Sequence, residues 1–176
     1  MYLYIVLSYS GSLPSVLIKK ASGKMYTHVS LACDLELFHM YSFGRKYLYT
    51  PYPGGFVIEN VKQGLFEKKK TKISVYRISI SAEDVQKFKS IINEFINNDD
   101  LYYDFLGALG MYFNKNKFKK NGYVCSSFAN EVLHKIGIHT GKNSWQIWPH
   151  EFASIAHAEL VYEGLASEYS KVLDLN

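Results

Sequence analysis

Apolar residues at Phe128, Val132 and Ile136, with Ala129 and Leu133 beside them, recur at the spacing of one helix face. The segment Gly122-Tyr123-Val124-Cys125-Ser126-Ser127-Phe128-Ala129-Asn130-Glu131-Val132-Leu133 is thereby committed to an amphipathic helix whose apolar side must be covered. That helix places Cys125 in its first turn. Unpaired amide hydrogens and the positive end of the helix dipole stabilise a thiolate there. A nucleophilic cysteine fits the position, and so does a small, buried structural one. The segment alone supports both.

Far upstream, Tyr26-Thr27-His28-Val29-Ser30-Leu31-Ala32-Cys33 alternates and is rich in apolar and β-branched residues, the pattern of a strand with His28 near its start. A cysteine nucleophile needs a base, and histidine titrates in the range suited to taking its proton. The two residues need to be close only in the fold. A strand opening Thr27-His28-Val29-Ser30, then a second strand, then a distant Tyr123-x-Cys125-Ser126-x-Phe128 on a helix, resembles the circularly permuted NlpC-type papain-like proteins. Within them it is most similar to the YiiX-like group, in which the histidine precedes the cysteine. The resemblance spans Tyr4 to about Tyr162.

The resemblance implies an α+β, papain-like fold in a single domain over residues 1–176, with the cysteine helix packed on an antiparallel sheet. It implies that Cys125 is the nucleophile of a thiol hydrolase acting on an amide or peptide bond, and that His28 is its base. The backbone N–H of Cys125 would then help to hold the oxyanion. The substrate class it implies is a cell-wall peptide, an isopeptide or a small amide. Relatives of the lecithin–retinol acyltransferase type share the permuted fold and act on lipid esters, and a binding module on the same scaffold is a third reading.

A third, orienting group is expected on the strand paired with the histidine strand, Leu37-Phe38-His39-Met40-Tyr41-Ser42-Phe43-Gly44-Arg45. A hairpin loop of Asp34-Leu35 sets Tyr41 opposite His28, and a loop that includes Glu36 sets Ser42 there. One step of register exchanges the two faces of a strand, so both stay open, with His39 one pair away.

Composition sets the outer limits. The chain has 176 residues, 48% of them apolar, enough to bury a sizeable core. Fifteen tyrosines and eleven phenylalanines suit a folded core with an aromatic-lined cleft and exclude a disordered chain. The net charge is only +4. Lysines gather at Lys68-Lys69-Lys70 with Lys72, and at Lys115, Lys117, Lys119 and Lys120, where they read as solvated loop charge. The sequence carries neither a phosphate loop nor the aromatic interleaving of a single-strand nucleic-acid binder.

No stretch approaches the roughly 20 apolar residues of a membrane span. The apolar start Met1–Leu7 is too short for a secretory leader and lacks a cleavage site. With only two cysteines, the expectation is a chain that works in the reducing cytoplasm. Cys33 is expected to face the core. His134, His139, His150 and His157 lack a metal-binding spacing, so neither a metal nor another cofactor is expected.

Along the chain, strands are expected at 2–8, 26–33, 37–43, 56–58, 72–80 and 159–162. Helices are expected at 13–21, after the capping sequence Ser81-Ala82-Glu83-Asp84, at about 103–113, after Val124, and opening at Trp148-Pro149. Asp104 reads as a helix cap, and Tyr123 as a packing residue or part of a cleft rim.

Overall fold

The computed structural model describes residues 1–11, 13–46, 54–67, 70–105, 107, 120–144 and 146–169. Strand β1 (Tyr2–Tyr9) is followed by helix α1 (Leu13–Ser22), then β2 (His28–Ala32), β3 (Met40–Arg45) and β4 (Gly54–Glu59). A short helix α2 (Gly64–Glu67), strand β5 (Lys72–Ser79) and the long helix α3 (Ala82–Ile96) come next. The two-residue strands β6 (Tyr102–Tyr103) and β7 (Gly122–Tyr123) flank residues outside the described set, and helix α4 (Cys125–Lys135) begins directly after β7. A 3-10 turn at Pro149–Ser154 and strand β8 (Glu159–Leu165) complete the core.

The main sheet is six-stranded, in the order β4-β3-β2-β1-β5-β8, and every pairing in it is antiparallel. The architecture is therefore mixed α+β around an antiparallel sheet. Both faces of that sheet are covered. This is why β1 reads as an almost unbroken apolar run rather than an alternating one. On one face Leu3, Ile5, Leu7, Val29, Leu31 and Phe43 pack against Phe88, Ile92 and Phe95 of α3 and Phe128, Val132 and Leu133 of α4. On the other, Tyr4, Val6, Ala32, Met40, Ile73 and Val75 meet Leu37, Val61, Phe66 and Tyr169.

Helix α3 starts where the capping sequence places it. Ser81 Oγ accepts from Asp84 N at 3.0 Å, and the Asp84 carboxylate accepts from Ser81 N at 3.2 Å. Helix α4 starts differently, because Val124 has no side-chain oxygen with which to cap it. Ser127 reaches back instead. Its hydroxyl accepts from Val124 N at 2.9 Å and donates to Val124 O at 3.0 Å. The first bond within the helix is Phe128 N to Val124 O, so the amides of 125–127 have no carbonyl partner one turn back.

The connection from β2 to β3 is wider than the expected hairpin. The Asp34 carboxylate accepts from Phe38 N at 2.6 Å, and Leu37 takes a φ of 55°, burying its side chain in the second apolar cluster. Leu31 consequently pairs with Tyr41, and His28 lies across from Gly44 rather than from Tyr41 or Ser42. The expected strand at 37–43 is accordingly found at Met40–Arg45. At the start of the helix expected over 103–113, Tyr102–Tyr103 instead form β6, paired in parallel with β7, and residues 106 and 108–119 lie outside the described set. Lys68, Lys69, Lys115, Lys117 and Lys119 lie outside it as well, while Lys70, Lys72 and Lys120 are exposed. Among the described residues, no helix is long and apolar enough to cross a membrane.

Replacing Ser81 with Ala removes the hydroxyl that caps Asp84 N, while the backbone N–H of residue 81 stays on the Asp84 carboxylate, and is expected to cost about 1 kcal/mol, read as a lower urea midpoint with an unchanged m-value. An unchanged midpoint would mean that α3 keeps its start without that hydroxyl.

Candidate active site

β2 and α4 deliver the two residues singled out from the sequence to one cleft. The cleft has a volume of about 120 Å³ and is bordered by His28, Cys125, Phe43, Gly44, Tyr103 and Glu59. Cys125 opens α4 and is only 6% exposed, beside the first-turn amides that helix geometry leaves without partners within the helix. His28 opens β2, and a Cβ added to Gly44 would lie 3.6 Å from its Cε1, an ordinary contact. Tyr103 forms a wall because Gly54 lets it approach. A Cβ at Gly54 would come within 2.7 Å of Tyr103 Cβ, closer than real side chains pack.

The partner that holds His28 is Glu59, the last residue of β4. Its two carboxylate oxygens lie 3.1 and 3.0 Å from His28 Nε2, and the fully buried Ser30 donates to Oε2 at 2.5 Å. His28, Ser30 and Glu59 sit on the same face of the sheet by register; on β3 that face carries Met40 opposite Glu59, and the small Ser42 and Gly44 toward His28. That lets a carboxylate two strands away reach the imidazole. With Nε2 taken by Glu59, Nδ1 is the ring nitrogen left for Cys125.

Burial pulls the imidazole pKa down, but the Glu59 charge, a hydrogen bond with Cys125 and the hydrogen bond with Glu59 outweigh it. The net result lies well above the usual 6.5. The shift favours the protonated, charged form of the ring. Burial pushes Glu59 up, but the His28 charge and the hydrogen bonds from His28 and Ser30 bring it below its usual 4.5. The two directions agree with one ion pair, whose side chains are 24% and 18% exposed.

Ser42 and Tyr41, the expected orienting residues, have other partners. The fully buried Ser42 donates to Val29 O at 2.7 Å and ties β3 to β2. Tyr41 lies on the opposite face, stacked on Phe56 and edge-on to Phe88. His39 precedes β3 in the connecting turn. Glu59 escapes a reading of the strand next to β2, because it reaches His28 from β4, one strand further out. The available signal was a lone carboxylate directly after the apolar run Phe56-Val57-Ile58.

The remaining residues are structural in their contacts. Cys33 is a free thiol packed against the first core cluster, and burial pushes its pKa up to about 12. Tyr123 donates to Glu131 at 2.9 Å and packs on Phe43 and Phe95. Asp104 accepts from Gly107 N at 2.7 Å, as a cap would. Among the described residues, no three His, Cys, Asp or Glu side chains gather as a metal site. No family model matches the chain, and no curated protein matches it in sequence.

The His28–Glu59 pair carries a pH signature. His28 is raised on folding, so its contribution to stability is complete below about 6.5 and is lost as pH rises through the higher folded value. Glu59 is lowered, so its contribution is complete above about 4.5 and is lost as pH falls through the lower folded value. Glu59→Gln is expected to cost about 1.5–3 kcal/mol on the plateau between these limits and less at either end, read from urea midpoints across pH. A cost that does not vary with pH would contradict the ion pair.

Proposed function

We propose that this chain is a thiol hydrolase of the permuted papain-like, NlpC-type (YiiX-like) group, cleaving an amide or peptide bond through an acyl-enzyme on Cys125. The observation that carries the reading is the His28 imidazole held between a carboxylate and the first-turn cysteine of a helix. The surrounding frame agrees with it, since α4 packs on an antiparallel sheet and the histidine strand precedes the cysteine in sequence.

In this reading the sulfur of Cys125 attacks the substrate carbonyl, its proton passing to or already held by His28. The oxyanion is met by the first-turn amides, which helix geometry leaves without internal partners. As the tetrahedral intermediate collapses, the imidazolium gives its proton to the departing amine and the acyl group stays on sulfur. The neutral imidazole then takes a proton from water, which attacks the thioester and frees Cys125. Glu59 does not touch the substrate. It keeps the ring aligned and stabilises its charge, and Ser30 in turn fixes Glu59.

The substrate class is a peptide, isopeptide or small amide. A second reading keeps the same acyl-enzyme and changes the acyl donor to a lipid ester, favoured by Tyr103 and Phe105 at the border of the cleft, above the buried Phe43.

Intact-mass spectrometry during incubation with peptide p-nitroanilides and, separately, phosphatidylcholine vesicles tests both readings. An acyl adduct on Cys125 is expected from the amides, absent in Cys125→Ala and formed about 10²-fold or more slowly in His28→Ala. Adduct from vesicles alone would favour the lipid reading. No adduct from either would leave a binding module on this scaffold.

A further inference from the structure

The sheet order gives His28 a different neighbour on each side. Toward β3 and β4 lies Glu59; toward β1 lies Ser8, which pairs directly with His28. Residues opposite each other in an antiparallel pair send their side chains to the same face, so Ser8 stands beside the imidazole. Ser8 is buried and borders the cleft. Thr27 N donates to Ser8 O at 3.0 Å, which fixes Thr27 against the end of β1. Thr27 borders the cleft too and is only 4% exposed, yet its hydroxyl is buried with no hydrogen-bond partner. A threonine left in that state costs stability that a valine of the same shape would not.

Ser10, just past β1, Ser15 of α1 and Thr71, just before β5, add further hydroxyls to the cleft border. The aromatic part of the border comes from the other direction, where Tyr103 lies against Gly54 of β4. The cleft thus has a hydroxyl side and an aromatic side, with the His28 strand between them. A hydroxyl both donates and accepts, which matches the N–H and C=O of an amide and offers nothing to an alkyl chain.

We propose that Thr27 and Ser8 determine specificity, forming a subsite for an uncharged amide of the substrate, the peptide unit next to the scissile bond. The inference rests on the hydrolase reading in calling the ligand a substrate, and it sharpens that reading toward peptides. A peptide unit seated there gives Thr27 Oγ1 the partner that the fold withholds. An acyl chain in its place leaves the hydroxyl buried and unpaired, which is how a site built to hydrogen-bond its ligand rejects one that cannot.

The test is an amide-NMR titration of the full chain carrying Cys125→Ala, which cannot turn over. The probe is N-acetylalanylalanine amide, and methyl hexanoate is the apolar ester control. Saturable shifts of the Ser8, Thr27 and His28 amides are expected with the dipeptide. Adding Thr27→Val is expected to weaken dipeptide binding about fivefold and to leave ester binding as it was. The urea midpoint of Thr27→Val is expected at or above that of the parent, because no bond within the protein is lost. Ser8→Ala, as a second variant, is expected to weaken the dipeptide in the same selective way. No saturable dipeptide shift, equal weakening of dipeptide and ester, or dipeptide binding that neither variant weakens would overturn the subsite. A lower urea midpoint in Thr27→Val would overturn it as well, by showing that the hydroxyl serves the fold. Because binding is read without the Cys125 sulfur, loss of the hydrolase reading and loss of the subsite are separate results.

Discussion

A carboxylate within hydrogen-bond distance of a partly buried imidazole sets the terms for everything around it. Glu59 brings both oxygens to His28 Nε2, and its charge, with the hydrogen bonds that the ring makes to Cys125 and Glu59, outweighs the burial that disfavours a charged ring. Such a pair is favourable only when its remaining lone pairs are satisfied. Ser30, fully buried two residues along β2, meets that need through its bond to Glu59 Oε2. The fixed ring then presents its other nitrogen to the first turn of α4.

The scaffold serves this arrangement by being rigid on both sides. The sheet has an apolar cover on each face, so β2 and β4 cannot slide relative to each other without exposing Leu31, Phe43 or Met40. Small residues do the complementary work. Ser42 and Gly44 clear the space between Glu59 and His28, and Gly54 admits Tyr103 to the wall of the cleft. A large side chain at any of these three positions would separate the groups that the rest of the fold brings together.

Much of this was legible in the sequence. The helical spacing of Phe128, Val132 and Ile136 located α4 and put Cys125 at its start, and the alternation after Thr27 located β2 and His28. Ser81 and Asp84 announced the start of α3 through a local hydrogen-bonding pattern that needs no tertiary information. The orienting group was hidden for two physical reasons. The turn after β2 is widened by Asp34 and by Leu37 entering the core in a left-handed conformation, which changes the register that a tight hairpin would impose. Glu59 also acts across an intervening strand, and no local pattern encodes a contact of that kind. The two short strands around 102–103 and 122–123 were likewise missed, being too brief to show a period.

The most direct measurement is the rate of Cys125 alkylation by iodoacetamide at pH 6.5, in the native chain, His28→Ala and Glu59→Gln. If imidazole and carboxylate act on the sulfur as one unit, the rate should fall at least about tenfold in His28→Ala and by a smaller but clear factor in Glu59→Gln. Equal rates in all three proteins would contradict the account, because the sulfur would then be indifferent to the pair that the cleft is built around.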